Sequence, residues 1–218
     1  MQLAGIILCG GESRRMGYPK AKLPFGGETL LQRTARTVSQ VTGRIVVVAA
    51  AGQKLPELPS TAIVVEDTRP QLGPLEGLRT GLSALSDETA AAYVTSCDVP
   101  FLTAEFISWM AAKLGEADIA VPEAEGFRHP LAAVYRRSIL PHIEELLAAG
   151  KRRPADLFPL VATRFVSEQE LTDFDPQLNA LRNLNRPEDY EAAITEAGFA
   201  VPTEVRQILF GEGEENQS

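Results

Sequence analysis

The run Leu3-Ala4-Gly5-Ile6-Ile7-Leu8-Cys9, stopped by Gly10-Gly11, constrains the fold more than any other part of the chain. It is apolar at every position and bounded by turn residues, so it reads as a strand buried on both faces. Similar short runs recur at 45–51, 62–65, 90–95 and 118–121. Amphipathic stretches lie between them. Residues 29–41 put Leu30, Leu31, Thr34, Ala35, Val38 and Val41 on one helical face, and residues 75–85 space Leu75, Leu78, Leu82 and Leu85 by threes and fours. Residues 103–114 open on Thr103 with Glu105 close behind, a capped helix start. Strand, loop and helix in repetition predict an α/β domain, three layers thick, around a mainly parallel sheet. Further on, 131–136 reads as a strand, 138–149 as a helix ended by Gly150, and 188–197 as a helix stopped by Gly198. Residues 1–200 are expected to form the domain and 201–218 a C-terminal extension. Its last eight residues hold no apolar side chain and read as a disordered tail.

Charge separates the possible functions. The 218 residues carry a net charge of −8, which argues against a partner as long and anionic as a nucleic acid. The charge is unevenly spread, because residues 1–60 hold eight basic and three acidic side chains. A basic patch on an acidic protein suits a small anion. No apolar run approaches the roughly 18–20 residues that cross a bilayer, so no membrane partner is expected. The N-terminal apolar run has no cationic stretch ahead of it and does not read as a signal peptide. Two cysteines make neither a disulfide framework nor a four-ligand zinc site, and the expected compartment is the cytoplasm.

The segment Gly10-Gly11-Glu12-Ser13-Arg14-Arg15-Met16-Gly17-Tyr18-Pro19-Lys20 follows the first strand, at the sheet edge where open α/β folds bind ligands. Its glycines let backbone N–H groups approach an oxyanion, and Arg14, Arg15 and Lys20 add positive charge. It is neither of two familiar phosphate loops. The residue two after Gly10 is Glu12, which breaks the dinucleotide fingerprint, and Gly17 is followed by Tyr18-Pro19 where a P-loop has Lys-Ser/Thr.

Leu8-Cys9-Gly10-Gly11, Arg15-Met16-Gly17, Lys20 and Leu23-Pro24-Phe25 resemble the signature of small nucleotidyltransferases, most of all the molybdenum cofactor guanylyltransferase family. Glu66-Asp67, Gly73-Pro74-Leu75-x-Gly77, Cys97-Asp98-x-Pro100, His129-Pro130 and Asn183-Leu184-Asn185-x-Pro187-Glu188 match in the same order. The resemblance implies a Rossmann-like fold and a Mg²⁺-dependent transfer of GMP from GTP to the phosphate of molybdopterin, with release of pyrophosphate. It also implies passing contact with other proteins of cofactor biosynthesis. Relatives that use CTP or another phosphate acceptor stand beside this reading, as does a non-catalytic nucleotide-binding adaptor.

The same resemblance assigns Leu8, Cys9, Gly10, Gly11, Lys20, Asp67 and Asp98 to the nucleotide, and Arg15, Lys20 and Asp98 to catalysis. Asp98 is the expected metal ligand, because a carboxylate-held Mg²⁺ offsets repulsion between two phosphates. As residue types, Asp98 and Asp67 equally suit strand-end turns. Asn183 and Asn185 are candidates for contacts near the metal, or for a turn before the helix at Pro187. His129 is a candidate wall of the second-substrate pocket, or a loop histidine. Arg152-Arg153 could hold a phosphate-bearing pterin, or simply be solvated. Three positions depart from the family pattern: Cys9 stands for the usual Ala, Pro19 for Asp, and Val48-Ala49-Ala50-Ala51 lacks the Asn that commonly ends the second strand.

Overall fold

The computed structural model describes residues 2–10, 15–67, 69 and 72–211. Gly11, Glu12, Ser13 and Arg14 of the glycine segment and the tail 212–218 lie outside the described residues.

The sheet is built on β1 (Leu3–Leu8), which pairs in parallel with β4 (Ile45–Ala50) on one side and β6 (Ala91–Ser96) on the other. β5 (Ala62–Asp67) extends the β4 side in parallel. Beyond β6 come β9 (Ala132–Arg136), antiparallel to it, then β7 (Ile119–Ala124) and β10 (Thr163–Val166). The short β8 (Phe127–Arg128) pairs with β7, and β2 (Pro24–Phe25) with β3 (Glu28–Thr29) in a separate hairpin. The sheet is therefore mainly parallel, as the apolar runs predict.

Burial on both faces of β1 is visible residue by residue. Ile7 and Cys9 join a core under α1 (Leu30–Ser39), α3 (Ala104–Lys113) and α5 (Glu168–Phe174), while Ala4, Ile6 and Leu8 join another under α2 (Pro74–Ser83) and α4 (Leu140–Ala148). These two cores make the three layers. The helices start where capping chemistry predicts. Thr29 and Gln32 form a capping box on α1, Thr103 Oγ1 accepts the Phe106 N–H at 3.1 Å, and Pro74 occupies the first turn of α2. Fully buried runs hold for β1, β4 and β6 but not for β5. Its side chains are half in solvent, with Val64 50% exposed, because it is the edge strand.

A third cluster forms from Met16, Leu23, Phe25 and Leu30 with Leu184, Tyr190 and Ile194 of the C-terminal part, where α6 spans Pro187–Glu196. Tyr190 donates its hydroxyl proton to the Pro24 carbonyl at 2.7 Å. Val201 and Val205 join this cluster, the latter from α7 (Thr203–Phe210), so residues 201–210 pack against the domain, most of them as a helix.

Candidate active site

The strand order reverses at β1, since the chain runs outward through β4 and β5 and then returns to β6 on the other side. Open α/β sheets bind ligands at the carboxyl ends of strands beside such a reversal. A cavity of about 1070 Å³ opens there, lined by Leu8, Cys9 and Gly10 after β1, Asp67 after β5, and Ser96, Cys97 and Asp98 after β6. Arg15, Lys20 and Asn185 close its other side. The size suits a nucleotide-sized ligand.

Asp98 is the most heavily bonded group of the site, and it is only 6% exposed. Its Oδ2 takes the Lys20 ammonium at 2.6 Å, and its Oδ1 accepts from the Ser96 hydroxyl at 2.5 Å and from Asn183 Nδ2 at 3.4 Å. Lys20 Nζ also reaches Asn185 Oδ1 at 3.4 Å. The return of the chain before α6 is held to this cluster by the Leu184 N–H, which donates to the Asp98 carbonyl at 3.0 Å. Asp189 Oδ2 accepts the backbone N–H of both Asn185 and Arg186 at 2.9 Å. Lys20, Asp98, Asn183 and Asn185, scattered over 165 positions of sequence, thus meet in one cluster.

Asp67 sits at the other end of the cavity. Its Oδ1 accepts the Arg69 N–H at 2.8 Å, fixing the carboxylate at the rim. Gly10 keeps the β1 end close to β4: a Cβ at position 10 would lie 3.2 Å from the backbone nitrogen of Ala50, tighter than ordinary packing. Leu75, at the entry of α2, donates its N–H to the Arg152 carbonyl at 3.1 Å. Arg153 is exposed and pairs with Asp156 at 3.4 Å. Sequence reasoning misses Gln53, Ser96 and Leu131, which also line the cavity.

Burial pushes the Cys9 thiol up to about 12, and burial together with the neighbouring Asp98 carboxylate pushes Cys97 well above its ordinary value. Both thiols therefore stay protonated, and neither is an activated nucleophile. The site works with oxygen and cationic nitrogen groups.

His129 is not among the cavity-lining residues. It lies between β8 and β9, and burial lowers its pKa against the raising effect of a bond to the Ala124 carbonyl. A depressed histidine pKa means that the unfolded chain binds the proton more readily than the folded one. Stability is then greatest above the ordinary imidazole pKa and falls as pH drops through it. Lowering the pH from 7.5 to 5.5 should reduce the melting temperature of the protein. His129→Gln should flatten that slope, measured by thermal unfolding across the range. An unchanged slope in the variant would assign the loss to other groups.

The family model for the MobA-like NTP transferase domain matches residues 5–159. The chain belongs to the MobA-like NTP transferase family. A probable molybdenum cofactor guanylyltransferase of Pelotomaculum thermopropionicum is 34% identical over 189 residues, covering 87% of this chain and 90% of the relative. One from Mycobacterium tuberculosis H37Rv is 39% identical over 160 residues, covering 71% and 78%. The crystal structure of molybdopterin-guanine dinucleotide biosynthesis protein A from Archaeoglobus fulgidus superposes with a TM-score of 0.73 at 21% identity, covering 89% of this chain and 98% of that one. As a MobA-like protein this chain is a nucleotidyltransferase, and such enzymes generally depend on a divalent metal. The residues fit one. Among the described residues no three His, Cys, Asp or Glu side chains cluster as ligands, but Asp98 and the Asn185 carbonyl offer hard oxygen donors, and Asp98 already holds the Lys20 cation. One carboxylate completed by substrate phosphates and water is how Mg²⁺ is commonly held.

Proposed function

We propose that the protein transfers GMP from GTP to the terminal phosphate of molybdopterin, releasing pyrophosphate. The observation that carries this reading is the Lys20–Asp98 pair at the floor of a nucleotide-sized cavity, in a chain whose relatives are described as molybdenum cofactor guanylyltransferases. The acceptor phosphate attacks the α-phosphorus, a new P–O bond forms as the bond to the β-phosphate breaks, and the electron pair leaves with pyrophosphate. A phosphate nucleophile is already ionised near neutral pH, so no side chain need act as a base.

The backbone of Gly10 and Gly11 and the guanidinium of Arg15 hold the triphosphate. Lys20 turns from Asp98 toward the α-phosphate and meets the charge that develops there. Asp98, with Asn185 beside it, would hold Mg²⁺, and the bound ion would supply charge neutralisation between the two phosphates. Asn183 and Ser96 orient the Asp98 carboxylate, and Asp67 binds the nucleoside end. His129, outside the lining of the nucleotide cavity, is the candidate wall of the second-substrate pocket. Residues 1–200 carry the activity, residues 201–218 form an extension, and the enzyme works in the cytoplasm, in passing contact with other proteins of cofactor assembly.

The test is direct. Purified protein, molybdopterin, MgCl₂ and GTP should yield the guanine dinucleotide and pyrophosphate, identified by mass spectrometry, and CTP in place of GTP should yield far less. Product from CTP alone would make this a cytidylyl enzyme. Nucleotide binding with no product from either would make it an adaptor.

A further inference from the structure

We infer that Gln53 selects the base of the nucleotide, its carboxamide donating a hydrogen bond to the keto oxygen at the 6-position of guanine. The inference rests on the nucleotide reading above and goes beyond it by naming the discriminating group.

The side chain is put in place by a short sequence rule. The Gln53 N–H bonds the Ala50 carbonyl at 3.0 Å, closing a four-residue turn whose third residue, Gly52, has φ +70°, the conformation glycine serves there. Glu66 Oε1 accepts the Gly52 N–H at 3.1 Å and ties the turn to β5. Gln53 is thereby folded back over the ends of β1 and β4.

Cys9 N–H donates to the Val48 carbonyl at 2.9 Å, so a regular parallel ladder would next join the Ala50 N–H to the Cys9 carbonyl. Gln53 stands in that step. The Ala50 N–H donates to Oε1 at 2.9 Å, and Nε2 donates to the Cys9 carbonyl at 3.1 Å. Two backbone groups of opposite kind thus fix which end of the amide is nitrogen. A carboxamide has two N–H donors and an oxygen with two lone pairs, so one N–H and one lone pair remain. The residue is half-buried and lines the cavity.

β4 and β6 flank β1, so Gln53, over the β1–β4 step, and Asp98, after β6, stand on opposite sides of the β1 end, more than one strand spacing of roughly 4.8 Å apart. A nucleoside bridges that span between its base and the α-phosphate. Asp67, the register partner of Ala50 on β5, adds a carboxylate acceptor to the lining of the same cavity. A donor and an acceptor in one cavity complement guanine, with its keto oxygen next to a ring N–H. Adenine and cytosine present an amino group where the keto oxygen would be and set donor against donor.

The test is titration calorimetry of the full-length protein with Mg²⁺ and GTP, ITP, ATP or CTP in turn. GTP and ITP, which share the keto oxygen, should bind within a few-fold of each other, and ATP and CTP at least about tenfold more weakly. Gln53→Met, of similar volume, should lower the GTP-to-ATP ratio about tenfold, and Gln53→Glu, which accepts where glutamine donates, should lower it further. A variant that weakens all four nucleotides by one factor and keeps the ratio would leave Gln53 a strand spacer and overturn the inference. Should a variant fail to fold, the unsubstituted protein still decides. 6-Thio-GTP, whose sulfur is a weak acceptor, should bind several-fold more weakly than GTP, and equal affinity would overturn the inference. No binding of any nucleotide would overturn the nucleotide reading itself, a result distinct from an unchanged ratio.

Discussion

Asp98→Asn should lower kcat for nucleotidyl transfer about a hundred- to a thousandfold, the scale on which loss of one charge-stabilising group is felt in a preorganised site. The substitution keeps the shape of the side chain and removes its charge. One oxygen faces Ser96 and Asn183 and the other faces Lys20, so an amide placed there must set its NH₂ against another donor on one side. The backbone anchor, the Leu184 N–H on the Asp98 carbonyl, does not involve the side chain and survives. Thermal unfolding should therefore change little while turnover collapses, and GTP binding measured without metal should be kept. Lys20→Ala should fall on the same scale. Because the two groups act on the same charge, the double variant should lose much less than the product of the single losses. A single variant within threefold of the unsubstituted kcat would remove that residue from the mechanism.

How far this site is legible in sequence depends on how each residue is brought to it. The apolar run 3–9 and the runs at 45 and 90 announce buried strands, because β1, β4 and β6 are central in the sheet and send apolar side chains into the cores on both faces. The strand-end residues Leu8, Cys9, Gly10 and Asp98 follow from that, since a parallel sheet delivers them to one edge. Asn183 and Asn185 reach the cluster only through a return of the chain that no local pattern encodes, and resemblance alone points to them. β10 and α5 escape notice because Thr163–Val166 is too short to show a period and half of it faces solvent. Gln53 escapes for a different reason: an isolated Gln after Ala-Ala-Gly reads as an exposed turn, and its place between two strands is set by tertiary hydrogen bonds. The family's usual Asn at the end of the second strand is absent, yet a side-chain amide still reaches the β1–β4 edge from the turn beyond it.

Glu76 carries no assignment in the sequence analysis, and its replacement should cost the fold the most. It stands in the first turn of α2, a favourable place for an acidic group. In the folded chain it is 0% exposed. Arg79 grips it through Nη2 at 2.7 Å and Nε at 3.1 Å, and Arg69 through Nη2 at 3.0 Å and Nε at 3.1 Å. Those bonds hold the Arg79 guanidinium above its ordinary pKa, with its own burial opposing. Removing one partner of a buried ion pair costs about 3–5 kcal/mol when the remaining charge is trapped. The Arg69 side chain is half exposed and can turn to water, so Glu76→Ala should cost nearer the lower end, about 3 kcal/mol. In a chain of this length that lowers the melting temperature by about 6–12 °C. The loss should also reach the site, because Arg69 carries the backbone N–H that orients Asp67. KM for the nucleotide should rise while kcat, governed at the Asp98 end, stays within a few-fold. Glu76→Gln, which keeps the volume and one acceptor, should recover part of the stability. A Glu76→Ala protein that melts within about 1 °C of the unsubstituted one would mean that both arginines find full compensation in solvent.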